Sequence, residues 1–442
     1  MRIARKLFIS TLAVAVVASL GLNVLWLSGG AQAQAGKLSL TVFGELALVQ
    51  EVLDYVRKQY VEPKKTTENK LVYGAIEGLL GKLGDPYTRF MPPEGFKEMQ
   101  IETRGSFGGL GIIIGQKETR ILVISPLVNT PAFRAGVESN DEIVKIDNEP
   151  VKGKTVSDVA NLLRGKIGTK VHVTMYRESQ KKLVEFDFVR EEILVPSVSS
   201  RMLDGKIGYI YLSQFIQTSG DDVEKRVTEF EKQGMKGLIL DLRHNPGGLL
   251  EAAVAVCRVL LPKGSTIVSV KDNAGNETKY VSFGSAHKPF PLAVLIDGGS
   301  ASASEITAGA VKDHRRGILI CQKSFGKGSV QTVLPLSDGS ALALTTAYYY
   351  TPAGTLIHNR GLQPDVQVDL PQMNEEQVRK LREQRTRFLD DSTPQAGKPA
   401  KPPVDLEFLL KADSQLQRAI DVLMSSEVFL DQIRSGEAAP GK

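Results

Sequence analysis

The spacing of apolar positions divides the chain into segments that predict different structures. Between residues 45 and 102 apolar side chains recur every three or four positions, which predicts helices. From residue 204 onward, short apolar runs alternate with amphipathic stretches, which is typical of strand–helix–strand units. Such units build a largely parallel sheet covered by helices, and the runs at 331–336 and 341–352 predict an added hairpin. The pattern therefore predicts an α/β core over residues 191–371, preceded by a helical arm over residues 36–104.

Residues 105–190 have a different order of elements. A glycine-rich entry to an apolar strand, GSFGGLGIIIG, precedes a second strand at 119–126, a short helix opened by Pro131, the strand at 142–151, the helix at 157–165 and a strand at 170–177. This order resembles that of a PDZ domain, which binds an extended chain end as an added strand. The resemblance implies that the loop residues Gly108, Gly109, Leu110 and Gly111 hold a terminal carboxylate.

Both ends of the chain depart from globular patterning. Arg2, Arg5 and Lys6 precede an uncharged run over residues 7–27, which is long enough to span a bilayer at about 20 residues. AQAQA follows at 31–35 and suits signal peptidase, so residues 1–35 are either a cleaved signal peptide or a membrane anchor. Residues 372–442 combine a charged helix (373–391), a Pro-rich linker (393–403) and an amphipathic helix (405–424), whose charges are expected to face solvent.

Composition narrows the classes of function. The formal net charge is +5, and removing the three basic residues of the targeting segment leaves +2, too little for the concentrated basic face of a nucleic-acid binder. Cys257 and Cys321 are the two cysteines, so the sequence contains neither a disulfide framework nor a cysteine metal site. We expect two buried thiols and no metal or cofactor.

Two loops at the ends of predicted buried strands could carry chemistry. DLRHNPGGLL (241–250) turns at Pro246-Gly247-Gly248, where unobstructed backbone N–H groups can stabilise an oxyanion. GGSASASEITAGA (298–310) places Ser302 at the start of a helix, where S-x-x-E also fits a capping box with Glu305. A serine there lies at the carboxyl edge of the sheet, with the N–H groups of Ala303 and Gly248 as candidate donors.

The proton acceptor for such a serine is less evident. His314 lies about three turns along the same helix, too far to reach back, whereas His244 is not excluded by sequence. No G-x-S-x-G elbow is present. The other candidate is Lys327, flanked by two glycines, whose pKa would have to fall from about 10.4 to near 7, a change of roughly 4–5 kcal/mol that burial can supply. Gln331 could orient it by hydrogen bonding.

Together these stretches, with YYYTPAGTLIHNRGLQPDVQV, resemble the carboxyl-terminal processing peptidases, also called tail-specific proteases, over nearly the whole mature chain. The resemblance implies a Ser–Lys endopeptidase with a crotonase-like core. It implies Ser302 as nucleophile, Lys327 as general base, Gln331 as the residue that orients the lysine, and the N–H groups of Gly248 and Ala303 as oxyanion donors. His244 receives no catalytic role from it.

The resemblance also implies partners and a location. Substrates are expected to be proteins or peptides with free C-termini, engaged through the PDZ-like domain in the bacterial cell envelope, and a homo-oligomer formed through the helical arm and tail is expected. Two other interpretations remain open from the sequence. One is an adaptor with an inactive peptidase-like core; the other is a crotonase-like acyl-transfer enzyme, for which the PDZ-like insert and export signal have no evident use.

Overall fold

A computed structural model describes residues 32–127, 129–284, 287–389 and 404–435. Contacts divide the chain into two units, one ending at Asp85 and the other beginning at Pro86. The predicted membrane segment at 7–27 and the linker at 393–403 lie outside the described residues. Among the residues that the structure does describe, no helix is both long and apolar enough to cross a membrane.

The helices follow one another in this order: α1 (Gln32–Gln59), α2 (Glu68–Gly81), α3 (Pro93–Arg104), α4 (Pro131–Arg134), α5 (Val156–Leu163), α6 (Ser219–Lys232), α7 (Leu250–Leu260), α8 (Ala303–Asp313), α9 (Glu375–Leu389), α10 (Leu406–Ala412) and α11 (Ser414–Ser435). The strands are β1 (Arg89–Met91), β2 (Ser106–Gly109), β3 (Ile112–Lys117), β4 (Arg120–Pro126), β5 (Glu142–Ile146), β6 (Glu149–Pro150), β7 (Lys170–Arg177), β8 (Lys182–Val189), β9 (Glu191–Leu194), β10 (Val198–Leu203), β11 (Ile207–Leu212), β12 (Gly237–Asp241), β13 (Thr266–Asp272), β14 (Glu277–Val281), β15 (Leu292–Ile296), β16 (Ile318–Cys321), β17 (Ser329–Pro335), β18 (Ala341–Tyr350) and β19 (Val366–Gln367).

The first unit contains α1 and α2, as the three- to four-residue spacing predicts. Many of its large apolar side chains are exposed: Leu46, Leu48, Val49, Val52, Tyr55, Tyr60, Val61, Leu79 and Leu83. The last part of the predicted arm behaves differently, because β1 pairs with β18 in the second unit. Helix α3, which follows β1, belongs to that unit as well.

A six-stranded antiparallel sheet, ordered β3-β4-β5-β7-β8 with β6 beside β5, corresponds to the PDZ-like stretch. Its apolar core includes Val159 and Leu163 from α5, so the predicted amphipathic helix packs as expected. Strands β8 and β9 were not predicted by the alternation pattern. Strand β9 pairs with β2, which brings the glycine-rich entry into a separate two-stranded ribbon.

The α/β class predicted for the core is confirmed. Its main sheet runs β10-β11-β12-β15-β16-β19, and every neighbouring pair is parallel except β10 with β11. Side chains on one face of the sheet pack against α6, α7 and α8. Side chains on the other face, such as Ile239 and Leu295, pack against residues of α9, α10 and α11. The sheet is therefore buried on both faces, which explains its continuous apolar runs.

One expectation about this unit needs correction. The run at 265–271, which alternation suggests is a parallel strand, forms β13 in a second, antiparallel sheet with β1, β14, β17 and β18. That sheet contains the predicted hairpin of β17 and β18. In the tail, Phe388, Leu409 and Leu416 are buried against the main sheet, while charged side chains such as Glu376, Glu407 and Asp421 are exposed as expected and Asp413 is buried. Apolar spacing identified these elements but does not specify which sheet or face they join.

Candidate active site

The two glycine-containing loops leave the same edge of the main sheet. DLRHNPGG continues from β12, and GGSAS continues from β15. Because β12 and β15 are parallel neighbours, their carboxyl ends lie side by side. This topology brings together two loops that are more than fifty residues apart in the sequence.

Asn245, which is fully buried, connects the two loops. Its side-chain amide donates to the carbonyl of Leu212 at 2.7 Å, and its Oδ1 accepts the N–H of Gly247 at 2.9 Å. Its carbonyl accepts the N–H of Ala301 at 3.0 Å and the hydroxyl of Ser304 at 2.9 Å. The Gly247 N–H is thereby used within the protein, and the Ser304 hydroxyl is committed to a structural bond.

Asp297 forms a second connection between the loops. Its Oδ1 accepts the N–H groups of His244 and Gly299, each at 2.9 Å, and its Oδ2 lies 2.8 Å from His244 Nδ1. Burial by itself raises the pKa of Asp297, but the hydrogen bonds and charge of His244 outweigh it and lower the pKa to about 2. The buried Ser300 hydroxyl donates to the carbonyl of Leu242 at 2.7 Å. The imidazole of His244 therefore pairs with the carboxylate of Asp297 and not with a hydroxyl group of the serine loop.

Ser302 lies immediately before α8, as the capping pattern predicts. Its φ is +56°, a left-handed conformation that is uncommon for a residue other than glycine. Its N–H donates to the carboxylate of Glu305 at 2.9 Å. A Cβ atom on Gly247 would lie 2.8 Å from Ser302 Cβ, so a glycine at 247 permits this close approach of the two loops.

The two candidate oxyanion donors flank Ser302. Gly248 forms a parallel bridge with Phe215, whose bonds use the Gly247 carbonyl and the Leu249 N–H. The N–H of Gly248 is therefore not used in that bridge. Ala303 is the first residue of α8, where N–H groups have no acceptor inside the helix. Only glycine suits position 248, because φ is +144° and a Cβ would lie 2.0 Å from the Phe215 carbonyl oxygen.

Lys327 lies in the loop between β16 and β17, and its flanking glycines have a steric explanation. Gly326 has φ +95°, and a Cβ on Gly328 would lie 2.3 Å from the backbone nitrogen of His358. The loop can therefore pack directly against the backbone of the IHNRG segment. The Lys327 Nζ lies 4.9 Å from the centre of the Tyr87 ring.

A cleft of about 540 Å³ brings most of the predicted site together. Ser302, Lys327, Gln331 and Gly248 all line it, and Ala303 follows Ser302. Its other walls combine apolar and aromatic side chains with polar and charged ones: Met91, Met99, Leu249, Leu250, Tyr280, Val330, Val333 and Tyr349 on the one hand, and Arg89, Glu102, Thr103, Gln214 and Glu251 on the other. The amide nitrogen of Gln331 donates to Ser329 Oγ at 2.8 Å and to Thr345 Oγ1 at 3.2 Å. A hydrogen bond from Lys327 to this amide would consequently use its Oε1.

The four predicted PDZ loop residues are not among those lining this cleft. Gly108 and Gly109 lie in β2, where the Gly108 carbonyl accepts the N–H of Gly165 at 2.9 Å. Leu110 is buried in the PDZ-like core. Gly111 has φ +74°, and a Cβ there would lie 2.2 Å from Thr130. The glycines thus allow close backbone packing at the entry to β3.

Sequence reasoning missed three groups that organise the site: Asn245, Asp297 and the wider role of Glu305. The S-x-x-E pattern predicted the bond from Glu305 to the Ser302 N–H, which is present. It did not predict that the same carboxylate accepts bonds from the lysine loop. Those partners are about twenty residues away, and local spacing contains no signal for them.

Comparison with known proteins gives three matching family models: peptidase family S41 over residues 206–368, PDZ domain over 108–187, and the activating protease CtpB N-terminal domain over 27–95. A carboxy-terminal-processing protease of Bartonella bacilliformis is 41% identical over 335 residues, covering 74% of this chain and 76% of the relative. The carboxy-terminal processing protease CtpA of Bacillus subtilis is 35% identical over 366 residues, covering 83% and 78%.

Among solved structures, a photosystem II D1 C-terminal processing protease matches with 33% identity and a TM-score of 0.43, covering 74% of this chain and 94% of that one. The identity to the curated relatives extends over most of both chains. It accompanies a peptidase core and a PDZ domain in the order expected from the motifs. This chain belongs to the carboxy-terminal processing protease family and is a serine endopeptidase with a PDZ domain.

Proposed function

We propose that the protein cleaves exported proteins with a Ser302–Lys327 dyad and engages their unstructured C-terminal ends through its PDZ-like domain. The observation that carries the proposal is the shared cleft, in which Ser302, Lys327 and Gln331 meet the glycine turn that contains Gly248. The apolar side chains in the cleft walls suit an extended peptide with apolar side chains. The likeness to proteases named for carboxy-terminal processing supports the choice of substrate.

In the proposed mechanism, the neutral amine of Lys327 accepts the Ser302 hydroxyl proton as Oγ attacks the scissile carbonyl carbon. The N–H groups of Gly248 and Ala303 stabilise the resulting oxyanion. Collapse of the intermediate breaks the C–N bond, and Lys327 returns the proton to the leaving amine. The acyl-enzyme ester is then attacked by water, which Lys327 deprotonates, and Ser302 is restored. Gln331 Oε1 orients the lysine during both proton transfers.

The domain assignment and location are proposals of the same kind. Residues 1–35 act as a signal peptide or membrane anchor, 36–104 as a helical arm whose last part, from Pro86, belongs to the second unit, 105–190 as the peptide-binding domain, 191–371 as the catalytic core and 372–442 as the tail. Gly108, Gly109, Leu110 and Gly111 hold the terminal carboxylate of a substrate. The bacterial origin of the curated relatives supports a cell-envelope location.

We also propose that the arm and tail join copies of this chain. The exposed apolar side chains of α1 and α2 support this, because large exposed apolar patches commonly mark surfaces that bind another protein. In a two-fold symmetric dimer, the apolar patch of one copy would cover the same patch of the other copy. Sedimentation of the purified chain tests it: Leu46→Glu with Val49→Glu is expected to lower the oligomeric state, and an unchanged sedimentation coefficient would contradict it.

The decisive experiment compares digestion of an unstructured protein with that of the same protein carrying an amidated C-terminus. The wild-type protein is expected to cleave the free-ended form faster. Ser302→Ala and Lys327→Ala are each expected to reduce cleavage at neutral pH by at least about 10³-fold, in line with removal of a nucleophile or its base. If Ser302→Ala left cleavage intact, the dyad assignment would be wrong. Equal cleavage rates for the two substrates would contradict the proposal that the protein recognises a free C-terminus.

A further inference from the structure

Glu305 is a fully buried carboxylate in the first turn of α8 to which the proposed mechanism assigns no role. Its Oε2 accepts the N–H of Ser302 at 2.9 Å and the N–H of Lys327 at 2.8 Å. Its Oε1 accepts the N–H of Gly326 at 2.7 Å and the hydroxyl of Ser324. One carboxylate oxygen therefore bonds the backbones of both the proposed nucleophile and the proposed base.

We propose that Glu305 is a positioning residue for proteolysis, which holds the serine turn and the lysine loop in the relative geometry that proton transfer needs. The inference rests on the Ser302–Lys327 dyad proposed above. The Glu305 carboxylate acts through the backbone of Ser302 and Lys327. None of its four hydrogen bonds involves Ser302 Oγ or Lys327 Nζ.

The four donors identify the chemical form of the group. Each oxygen of Glu305 faces two donors, and all four are N–H or O–H groups, so the arrangement suits a carboxylate without a proton. Burial raises the pKa of Glu305, while the hydrogen bonds from Ser324, Ser302, Gly326 and Lys327 lower it, and the net direction is upward. The four donated hydrogen bonds, rather than the direction of the pKa, indicate a negative charge, which these bonds stabilise.

Other hydrogen bonds also hold the two segments, such as those from the Phe325 N–H to the Ser300 carbonyl at 3.0 Å and from the Asn359 N–H to the Gly326 carbonyl at 2.8 Å, but the Glu305 carboxylate bonds the backbone of Ser302 and of Lys327 themselves. Ser302 adopts φ +56°, which costs about 1–3 kcal/mol for such a residue and persists only where surrounding bonds enforce it. The lysine loop between β16 and β17 contains no helix or strand, and Gly326 also adopts positive φ. Proton transfer requires heavy atoms within about 3.2 Å, so a shift of about 1 Å in either segment impairs it.

Glu305→Gln is the main test. The amide retains the shape but offers one oxygen, so its NH₂ group must face two of the former donors. We expect kcat to fall about 10²-fold with KM changed less than about threefold, since the peptide contacts in the cleft are retained. The removed charge lies 2.8 Å from the backbone nitrogen of Lys327, and a nearby negative charge favours the protonated amine, so the acid limb of the pH–rate profile should shift to lower pH.

Two further variants separate this role from a purely structural one. Glu305→Asp keeps the charge but shortens the side chain, and is expected to lower kcat while leaving the acid limb in place. Asp365→Asn is a matched control, because Asp365 also accepts a backbone N–H and a lysine, near the opposite end of β16 from the lysine loop. It should change neither kcat nor the acid limb.

The outcomes are distinguishable from failure of the dyad itself. If Ser302→Ala retains turnover, the proposed function fails first. If Ser302→Ala is inactive while folded Glu305→Gln keeps the wild-type kcat and acid limb, the positioning role is overturned. If Glu305→Gln does not fold, Ser324→Ala decides. That variant removes one of the four bonds and should reduce kcat about threefold to tenfold at constant KM; a wild-type kcat would overturn the proposal.

Discussion

Arg243 lies two residues after the end of β12, at the start of the turn that contains Gly247 and Gly248, and it binds the turn to the C-terminal tail. Its guanidinium, almost fully buried, donates to Asp241, to Asp413 at 2.7 and 3.0 Å, and to Gln415 at 3.0 Å. Asp413 lies between α10 and α11. We predict that Asp413→Asn destabilises the second unit and also lowers turnover, because it weakens the support of the turn whose Gly248 N–H is proposed to bind the oxyanion.

The magnitude follows from burial. Breaking a buried ion pair by removing one partner costs about 3–5 kcal/mol. Arg243 retains Asp241 as a partner in this variant, so the lower end applies, about 3 kcal/mol. At the 2 °C per kcal/mol typical of large domains, the melting temperature should fall by about 6 °C. The matched control is Asp421→Asn on α11, whose exposed carboxylate accepts one surface hydrogen bond from Gln417. It should change the melting temperature by less than about 1 °C.

Calorimetry and digestion of an unstructured protein measure the two effects. At a temperature where both variants are fully folded, Asp413→Asn should have a kcat several-fold below that of Asp421→Asn. If Asp413→Asn melts within 1 °C of the control, the buried network does not hold the tail to the sheet. If it is destabilised as expected but retains full kcat when folded, the tail stabilises the fold without supporting the turn.

Two further predictions concern the loops of the site. Gly248→Ala places a Cβ 2.0 Å from the Phe215 carbonyl oxygen and disfavours φ +144°. We therefore expect kcat to fall about 10²–10³-fold, as on loss of one oxyanion donor. A variant that keeps more than a tenth of the wild-type kcat would contradict this prediction. Asp297, with its pKa lowered to about 2, should add about 2 kcal/mol of stability. Because the folded pKa is depressed, that contribution is fully present above about pH 4 and is lost as pH falls toward 2. Urea unfolding should therefore separate wild type from Asp297→Asn at pH 7 and not near pH 2; a constant difference would show that the charge is not responsible.

Several features of this protein follow from local sequence. Apolar spacing is enough to identify most helices and strands of the α/β core, because a buried face repeats with the period of its element. S-x-x-E places Ser302 at the start of α8 and bonds its N–H to Glu305, since a capping box involves residues three apart. The glycines beside Lys327 predict close backbone contact, which is found against His358.

Other features depend on contacts between distant residues, and only the tertiary structure specifies them. The strand Thr266–Asp272 pairs with β18 rather than with the parallel strands, and the charged tail covers one face of the main sheet. Hydrogen bonds from the lysine loop to Glu305, and from Arg243 to Asp413, join segments about 20 and 170 residues apart. Apolar periodicity records which side of an element is buried, but not what buries it, so these partners are decided by how the layers pack.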